Sequence, residues 1–270
     1  MATKIVKKSK AKKSILDRAK PVGEAPAYDS MLVYGRAGTG KTEFGSTFPT
    51  PILLLDIREE GYKTIKKKPG INLLQIETWE EIEETYWELK DGTDYNSVVI
   101  DQVTAMQALA MAGVREELNM KPSDTLSQRS WGKISGRMQE WLFNYRELTK
   151  SDYNVCFLAH ERLRDANEED DDRIAPSVGA NLMPSIASFL NGAVSVIGNS
   201  FIREKFDKKT KTKETQFCMR VGAHPYYAAK IRRPVASGPA PDVIVNPTYD
   251  RVMTVAEGES LQRKVKRVKK

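Results

Sequence analysis

Short runs of apolar residues punctuate the chain, and the stretches between them place apolar residues at helical spacing. The runs are mostly continuous rather than alternating, which is typical of strands buried on both faces of a parallel sheet. They span Met31–Tyr34, Pro51–Asp56, Ile71–Ile76, Asn96–Asp101 and Tyr153–Ala159. A further strand is predicted near 193–198, and segments 200–206 and 215–221 flank a Lys-rich turn and predict a hairpin.

Helices are predicted in the stretches between these runs. Thr78 and Glu81 form a capping box that opens one helix, whose apolar face consists of Trp79, Ile82, Tyr86 and Leu89. A long helix is predicted around 130–149 and a short one near 181–190. Because strands alternate with helices, the predicted fold class is α/β. We expect a doubly wound, mostly parallel sheet with helices on both faces and an antiparallel edge hairpin.

Charge divides the chain into a body and two basic ends. Residues 1–20 carry +7 and residues 251–270 carry +5, which leaves −5 for the body of a chain whose net charge is +7. We therefore expect a basic arm and linker at 1–27, one domain at 28–255 and a basic tail at 256–270. Basic arms are typical of proteins that bind nucleic acids. Solvated tails with no partner are the alternative.

Neither membrane insertion nor a disulfide framework is predicted. No apolar run of signal-peptide or membrane-span length occurs in the sequence. Cys156 and Cys218 each lie in a strand-like apolar run, so we expect buried, reduced thiols. Both observations favour a cytoplasmic protein with no membrane partner.

The strongest chemical motif is a glycine-rich loop between the first apolar run and the first helix. Its glycines let consecutive backbone N–H groups surround a phosphate at the positive end of that helix. Lys41 then reaches the β- and γ-phosphates of a nucleotide, and the Thr42 hydroxyl binds Mg²⁺. The predicted nucleotide-binding residues are Gly35, Arg36, Ala37, Gly38, Thr39, Gly40, Lys41, Thr42 and Glu43.

A site for Mg²⁺ and nucleotide also needs carboxylates from nearby strands. Asp101 ends an apolar run that we expect to neighbour the first strand, and it is the predicted second metal ligand. An ordinary helix-capping role is the alternative. Glu59 and Glu60 follow the strand that ends at Asp56, and either is a candidate to orient or deprotonate water. Exposed loop acids with no such role are equally compatible with the sequence.

Three further side chains are candidates for contact with phosphate. His160 directly follows the predicted strand that ends at Ala159, so its imidazole is expected at the sheet edge that carries the loop, either as a γ-phosphate sensor or as a structural residue. Lys230 and Arg232 lie on one side of an extended segment and are candidates to reach one phosphate of a neighbouring subunit. Solvated cations are the alternative.

The order of these motifs resembles that of the RecA-like ATPases, and most closely the small bacteriophage single-strand annealing and recombination proteins of the Sak group. The resemblance covers about residues 28–255. It rests on the glycine-rich loop, the strand 52–56 with Glu60-Gly61 after it, the run 98–101, the segment 157–161 and the segment 229–232.

The resemblance implies a RecA core that assembles into homo-oligomeric rings or filaments, binds ATP and Mg²⁺ between protomers and loads onto single-stranded DNA. It implies that Glu60 or Glu59 activates water, that His160 leads into a DNA-binding loop, and that Lys230 and Arg232 act in trans. In the family the acid usually stands two positions after the strand Asp, where this chain has Arg58.

The loop 161–179 would then contact DNA, although its centre is a run of acids. Its candidate phosphate contacts are Arg162, Arg164 and Arg173. The loop contains no aromatic residue for base stacking, and a flexible solvated loop is the alternative.

The leading hypothesis is thus an ATPase that binds single-stranded DNA and promotes strand annealing and recombination, in conjunction with a single-strand DNA-binding protein as a further candidate partner. A helicase- or packaging-type motor or a loader ATPase would share the same loop and trans-acting cations. A nucleotide-dependent scaffold with little turnover is favoured by the displaced glutamates.

Overall fold

The computed structural model of the chain describes residues 19–24, 28–164, 177–207 and 212–261. The strands in these ranges are β1 (Ser30–Gly35), β2 (Ile52–Asp56), β3 (Ile71–Gln75), β4 (Ser97–Asp101), β5 (Asn154–Arg164), β6 (Ser177–Ala180), β7 (Val196–Asp207), β8 (Thr212–Arg220), β9 (Lys230–Ile231) and β10 (Val243–Val245). The α-helices are α1 (Lys41–Gly45), α2 (Trp79–Asp91), α3 (Val103–Glu117), α4 (Gln128–Glu147), α5 (Pro184–Ala193) and α6 (Tyr249–Ala256).

One sheet runs through the whole domain, in the order β10-β8-β7-β1-β5-β4-β2-β3. The strands from β7 to β3 pair in parallel with their neighbours. At one edge, β8 and β10 are antiparallel, and the short strands β6 and β9 pair antiparallel with β5 and β7. The predicted fold class, a mostly parallel α/β sheet with an antiparallel edge hairpin, is confirmed.

Two apolar cores cover the two faces of this sheet. On β1, Leu32 and Tyr34 pack into the core that contains the buried faces of α2, α3, α4 and α5. Met31 and Val33 point to the other face, where α1 and α6 complete the second core. Each fully buried large apolar side chain contributes about 1.5–3 kcal/mol. Strand β1, which is buried along its whole length, is therefore a rigid base for the loop that follows it.

Helices α2 and α4 form where apolar spacing predicts them. The Thr78 hydroxyl accepts a hydrogen bond from the Glu81 backbone N–H at 3.3 Å. The Glu81 carboxylate in turn accepts one from the Thr78 backbone N–H, which completes the capping box. The predicted apolar face of α2 is buried. On α4, which Ser127 caps, the buried face includes Ile134, Met138 and Tyr145.

Two strands are longer than the sequence predicts. Strand β7 is one continuous strand, so the prediction of separate strands at 193–198 and 200–206 is wrong. The strand continues through the polar pair Asn199-Ser200, because both side chains are buried and hydrogen-bonded, Asn199 to Arg220 and Ser200 to the Thr39 carbonyl. Strand β5 continues past Ala159 because its second half pairs with β6 after leaving the core of the sheet.

Several predictions fall on the ends of the chain or on its cysteines. Of the predicted arm, residues 1–18 and 25–27 lie outside the described residues, as do residues 262–270 of the tail. Cys156 and Cys218 are free and buried, as predicted, and burial raises the pKa of both thiols. In the described part of the chain, the helices are all too short or too polar to cross a membrane.

Candidate functional site

The glycine-rich loop connects the end of β1 to the start of α1. Gly40 is the residue before the helix and has a φ of 84°, a left-handed conformation that glycine adopts without the steric cost of a Cβ. The Thr39 hydroxyl donates to the Arg36 carbonyl at 2.9 Å, and the Ser200 hydroxyl donates to the Thr39 carbonyl at 2.7 Å. The loop is therefore closed by its own contacts and fixed to β7.

Lys41 occupies the centre of the loop. Its side chain is buried, and Nζ donates to the carbonyls of Gly35 at 3.1 Å and Arg36 at 2.9 Å. Burial lowers the pKa of Lys41, while the carboxylates of Asp101 and Glu59 act in the opposite direction. An ammonium group held in this position can meet the charge of a phosphate that the loop's N–H groups surround.

The first turn of α1 places Thr42 beside the carboxyl end of β4. Strand β4 is not the neighbour of β1, contrary to expectation, because β5 lies between them. Gly45 lets α1 pack closely over β4 and β5, since a Cβ there would lie 2.9 Å from Val99 of β4 and 3.6 Å from Leu158 of β5. The Thr42 hydroxyl consequently reaches Asp101 and donates to Oδ2 at 2.6 Å.

Asp101 is a buried carboxylate in a crowded acidic environment. Burial raises the pKa of Asp101 to about 6, the Thr42 hydrogen bond acts in the opposite direction, and the charge of Asp56 adds to the increase. Asp56 stands opposite Asp101 in the pairing of β2 with β4. Its Oδ1 atom is buried and has no hydrogen-bond partner among the described residues. A cation at this point would relieve both features.

Gly61 leaves the space around these oxygens open. A Cβ at Gly61 would lie 2.6 Å from Asp101 Oδ2 and 2.6 Å from Thr42 Oγ1, so a larger residue would compress the pair. Mg²⁺ is usually held by one or two protein oxygens, with phosphates and water completing its shell. The Thr42 and Asp101 oxygens fit this requirement. Groups of three or more His, Cys, Asp or Glu side chains that could hold a metal are absent from the described ranges.

The turn after β2 determines which glutamate faces the site. Arg58 and Glu60 both have left-handed backbones, with φ values of 60° and 54°. Burial raises the pKa of Asp56, and the nearby backbone N–H groups of Glu59 and Glu60 act in the opposite direction. Arg58 turns away and donates to the Glu77 carbonyl at 2.9 Å. Glu59 is thereby directed inward.

Glu59 and His160 contact each other beside the Thr42–Asp101 pair. Glu59 Oε2 lies 3.4 Å from His160 Nε2, whereas Glu60 pairs with Lys63 at the surface. His160 lies within β5 rather than after it, because the strand continues to Arg164. Its pairing with Gly35 nevertheless puts it level with the start of the glycine-rich loop. The expectation that His160 shares the loop's sheet edge agrees with this position.

One cavity of about 730 Å³ is bordered by the loop from Ala37 to Thr42 and by the acids and His160 that face it. One end is formed by the loop, with Glu59, Gly61, Asp101 and His160 beside it. The opposite end is lined by Phe217, Asn246, Pro247 and Thr248. Cavities of this size are typical of sites for small molecules and cofactors.

A family model described as "AAA domain" matches residues 27–233, which include the loop and all the acids of the site. The chain belongs to the AAA domain family. It therefore contains a P-loop ATPase domain of the AAA type. A search of curated proteins found no match to the chain.

Two predicted nucleotide-binding residues of this AAA domain contact other side chains at the rim. Glu43 lines the cavity and forms an ion pair with Lys68. Arg36 is 85% exposed at its side chain and forms an ion pair with Glu161 at 2.8 Å. Both therefore lie at the edge of the phosphate loop rather than in its centre.

Lys230 and Arg232 lie near the amino ends of the parallel strands, whereas the loop lies at their carboxyl ends. They flank the start of β7, where Lys230 pairs with Ile197 and the Arg232 N–H donates to the Ser195 carbonyl. Both side chains donate to carbonyls at the carboxyl end of α5, Lys230 to Asn191 and Arg232 to Gly192. Within one protomer they stabilise a helix end and do not reach the protomer's own loop.

The predicted DNA-contacting arginines are only partly described. Arg162 is exposed on β5, Arg164 donates to the Leu182 carbonyl at 3.2 Å, and Arg173 lies outside the described residues. Sequence reasoning missed several contributors to the site, among them Asp56, Gly61, Phe217 and Asn246. Asp56 had a signal, because it ends a buried strand as Asp101 does. Phe217 and Asn246 had none.

Proposed function

We propose that the AAA domain binds ATP and Mg²⁺ in this cavity, hydrolyses ATP, and uses the cycle to bind and anneal single-stranded DNA in homologous recombination. The observation that carries the nucleotide part is the 2.6 Å contact between the Thr42 hydroxyl and the buried Asp101 carboxylate beneath the glycine-rich loop. Thr42 and Asp101 would hold Mg²⁺, which neutralises charge on the phosphates.

Glu59 is the proposed general base. It faces the cavity beside Asp101, and the neighbouring Glu60 does not line it. Water attacks the γ-phosphorus while the bond to the bridging oxygen breaks, and the Glu59 carboxylate orients that water and accepts its proton. His160, 3.4 Å from Glu59, is positioned to couple the occupancy of the γ-phosphate site to β5.

Support for single-stranded DNA as the partner comes from the far end of β5. This strand leaves the site at His160 and pairs with β6, where Arg162 is exposed. The segment 224–227 packs on β6, because the Val178 N–H donates to the Tyr226 carbonyl at 2.6 Å. Tyr226 is 47% exposed, so it supplies an aromatic surface of the kind that base stacking uses.

The proposal is tested with purified protein, Mg²⁺, ATP and a mixed-sequence oligonucleotide. We expect the oligonucleotide to bind at low salt, to stimulate phosphate release, and to anneal faster to its complement when the protein is present. Binding should weaken steeply as salt rises, because phosphate contacts release counterions. Absence of both binding at low salt and stimulation of the ATPase would refute the DNA part of the proposal.

A matched pair of variants addresses the proposed DNA surface. Tyr226→Ala should weaken binding of the oligonucleotide by about 5- to 150-fold, which corresponds to the stacking of one base. Phe143→Ala removes a ring that is 46% exposed on α4, where it packs against Phe189 of α5, and should leave DNA binding unchanged. Equal effects of the two variants would argue against the surface.

We also propose that the protein acts as a homo-oligomer in which Lys230 and Arg232 reach a neighbour's nucleotide. Their distance from the loop of their own protomer favours this arrangement over action in cis. Arg232→Ala should keep the ATP affinity of the protein and lose the turnover that depends on assembly. Arg233→Ala is the control, because Arg233 donates to the nearby carbonyls of Pro239 and Ser237. Normal stimulated turnover in Arg232→Ala would remove the trans role.

A scaffold with little turnover is the second candidate, favoured by the presence of Arg58 where the related ATPases carry their acid. Tight ATP binding with negligible phosphate release, with or without DNA, would select it. Unwinding of a duplex driven by ATP would instead select a motor.

A further inference from the structure

The cavity continues well past the groups that would hold phosphate. Its acidic side lies over β2, β4 and β5, where Glu59, Asp101 and His160 are found. Its other side lies over β8 and the segment after β10, which are on the opposite side of β1 in the sheet. If the γ-phosphate faces the acids, the nucleoside of the same molecule points toward β8.

We propose that this far end is the nucleobase subsite, in which Phe217 stacks on the base and Asn246 selects adenine. The inference rests on the proposed function, since it requires that the glycine-rich loop binds a nucleotide. It goes further by assigning the base specificity to named residues. Asn246, Pro247 and Thr248 lie beyond the residues 27–233 that the AAA domain model matches, whereas Phe217 lies within them.

Phe217 is placed as a stacking surface. Its ring is 43% exposed, although the residues on either side of it in β8, Gln216 and Cys218, are buried. The ring stands against the phosphate loop, because a Cβ on Gly40 would lie 3.1 Å from ring atom Cδ1. An aromatic face at this distance from the loop can cover a planar base. Stacking of this kind contributes affinity for any base without choosing between bases.

Asn246 provides a carboxamide that can distinguish adenine from guanine. Its backbone N–H donates to the Phe217 carbonyl at 2.7 Å, so the two residues are fixed to each other. Its carboxamide has no hydrogen-bond partner in the described ranges of the chain. A carboxamide carries one acceptor and donors on one edge, which match the N6 amino group and N7 of adenine, whereas guanine presents two acceptors at the corresponding positions.

The wall that carries Asn246 is fixed at both ends. Thr248 accepts a hydrogen bond from the Arg251 N–H and so caps α6, and the Tyr249 N–H donates to the Thr47 hydroxyl at 2.8 Å. Thr47 lies just after α1, the helix that follows the phosphate loop. The far end of the cavity is thus held at a constant distance from the loop. Its residues beyond the loop are uncharged, which suits a base and not a phosphate.

The test compares the affinities of the full chain for ATP, GTP and inorganic tripolyphosphate with Mg²⁺ by calorimetry. The wild-type protein should prefer ATP to GTP by about 5- to 150-fold and bind tripolyphosphate more weakly than ATP. Phe217→Ala should weaken ATP and GTP alike by about 5- to 150-fold and leave tripolyphosphate unchanged. Phe217→Tyr should restore binding. Phe217→Leu, which keeps an apolar side chain of similar volume, should resemble Phe217→Ala.

Asn246→Gly should remove the preference for ATP over GTP, because glycine keeps the positive φ of 47° and removes only the carboxamide. Phe206→Ala is the control, since this ring is 57% exposed farther along the same hairpin and does not line the cavity. Unchanged ATP affinity in both Phe217→Ala and Phe217→Leu, or an equal loss of tripolyphosphate affinity, would overturn the subsite. Wild-type protein that binds neither ATP nor tripolyphosphate would instead refute the proposed function.

Discussion

The two ends of the cavity are built in different ways. The phosphate end takes its loop from one uninterrupted stretch, Gly35–Thr42, whereas the opposite end joins Phe217 of β8 to Asn246 after β10. The first arrangement needs only a strand, a turn and a helix in succession. The second depends on the antiparallel pairing of β8 with β10, in which Cys218 faces Val245. The phosphate end is therefore expected to determine whether a nucleotide binds, and the base end to determine which one.

The largest effect that we expect belongs to the phosphate end. Glu59→Gln keeps the shape of the side chain and removes its ability to accept a proton, so ATP turnover should fall by about 10²- to 10⁴-fold. ATP affinity should stay close to that of the wild type. Steady-state phosphate release and equilibrium ATP binding measure the two quantities separately.

Glu60→Gln is the matched control for this prediction. Glu60 is the adjacent acid of the same turn, and its ion pair with Lys63 lies at the surface. Its replacement should change turnover little. A larger loss of turnover in Glu60→Gln than in Glu59→Gln would reverse our assignment of the two acids.

Lys41→Ala is the next strongest test, because it separates the two ends by ligand. The variant removes the buried ammonium group of the loop and should weaken both ATP and tripolyphosphate by about 10- to 150-fold, the cost of a lost charged hydrogen bond. The ratio of the two affinities should stay constant. Calorimetry measures both, and retained ATP affinity would show that the loop is not the phosphate site.

The fold was largely predictable from the sequence because its strands are buried apolar runs. The runs identified β1 to β5, and apolar spacing identified α2 and α4 between them. The sequence could not indicate that β7 continues through Asn199 and Ser200, because those polar residues are accommodated only by contacts with distant segments. The short strand β6 exists through its pairing with the end of β5 and has no apolar pattern of its own.

Some residues of the candidate site could likewise be recognised from local sequence, and others could not. The loop and Asp101 could be proposed from the sequence, since each follows an apolar run directly. The choice of Glu59 over Glu60 depends on the left-handed backbone of Arg58 and Glu60, both residues in which that conformation is uncommon. Phe217 and Asn246 come together only through long-range strand pairing, so no local pattern could identify them.

A smaller effect on Mg²⁺ binding is expected from a change at Gly61, which lies against Thr42 and Asp101, the proposed metal ligands. Gly61→Ala places a methyl group against Thr42 Oγ1 and Asp101 Oδ2 and should raise the Mg²⁺ concentration needed for half-maximal ATP binding about tenfold. A titration of Mg²⁺ at fixed ATP measures this. Gly136→Ala on α4 is the control, because a Cβ there meets no atom within 4 Å. An unchanged Mg²⁺ requirement would mean that the metal does not lie between these oxygens.

The smallest effect should come from Ser200, which lies on β7 between the two ends. Its buried hydroxyl donates to the Thr39 carbonyl at 2.7 Å, and Ser97 at the start of β4 donates to the Pro49 carbonyl at the same distance. Ser200→Ala and Ser97→Ala should each lower the free energy of unfolding by about 1 kcal/mol, because each removes one buried hydrogen bond. Only Ser200→Ala should also lower ATP affinity, by a few-fold, since only Ser200 fixes the phosphate loop. Chemical denaturation and calorimetry on the two variants measure both effects, and an equal loss of ATP affinity would mean that general stability, rather than the attachment of the loop to β7, controls binding.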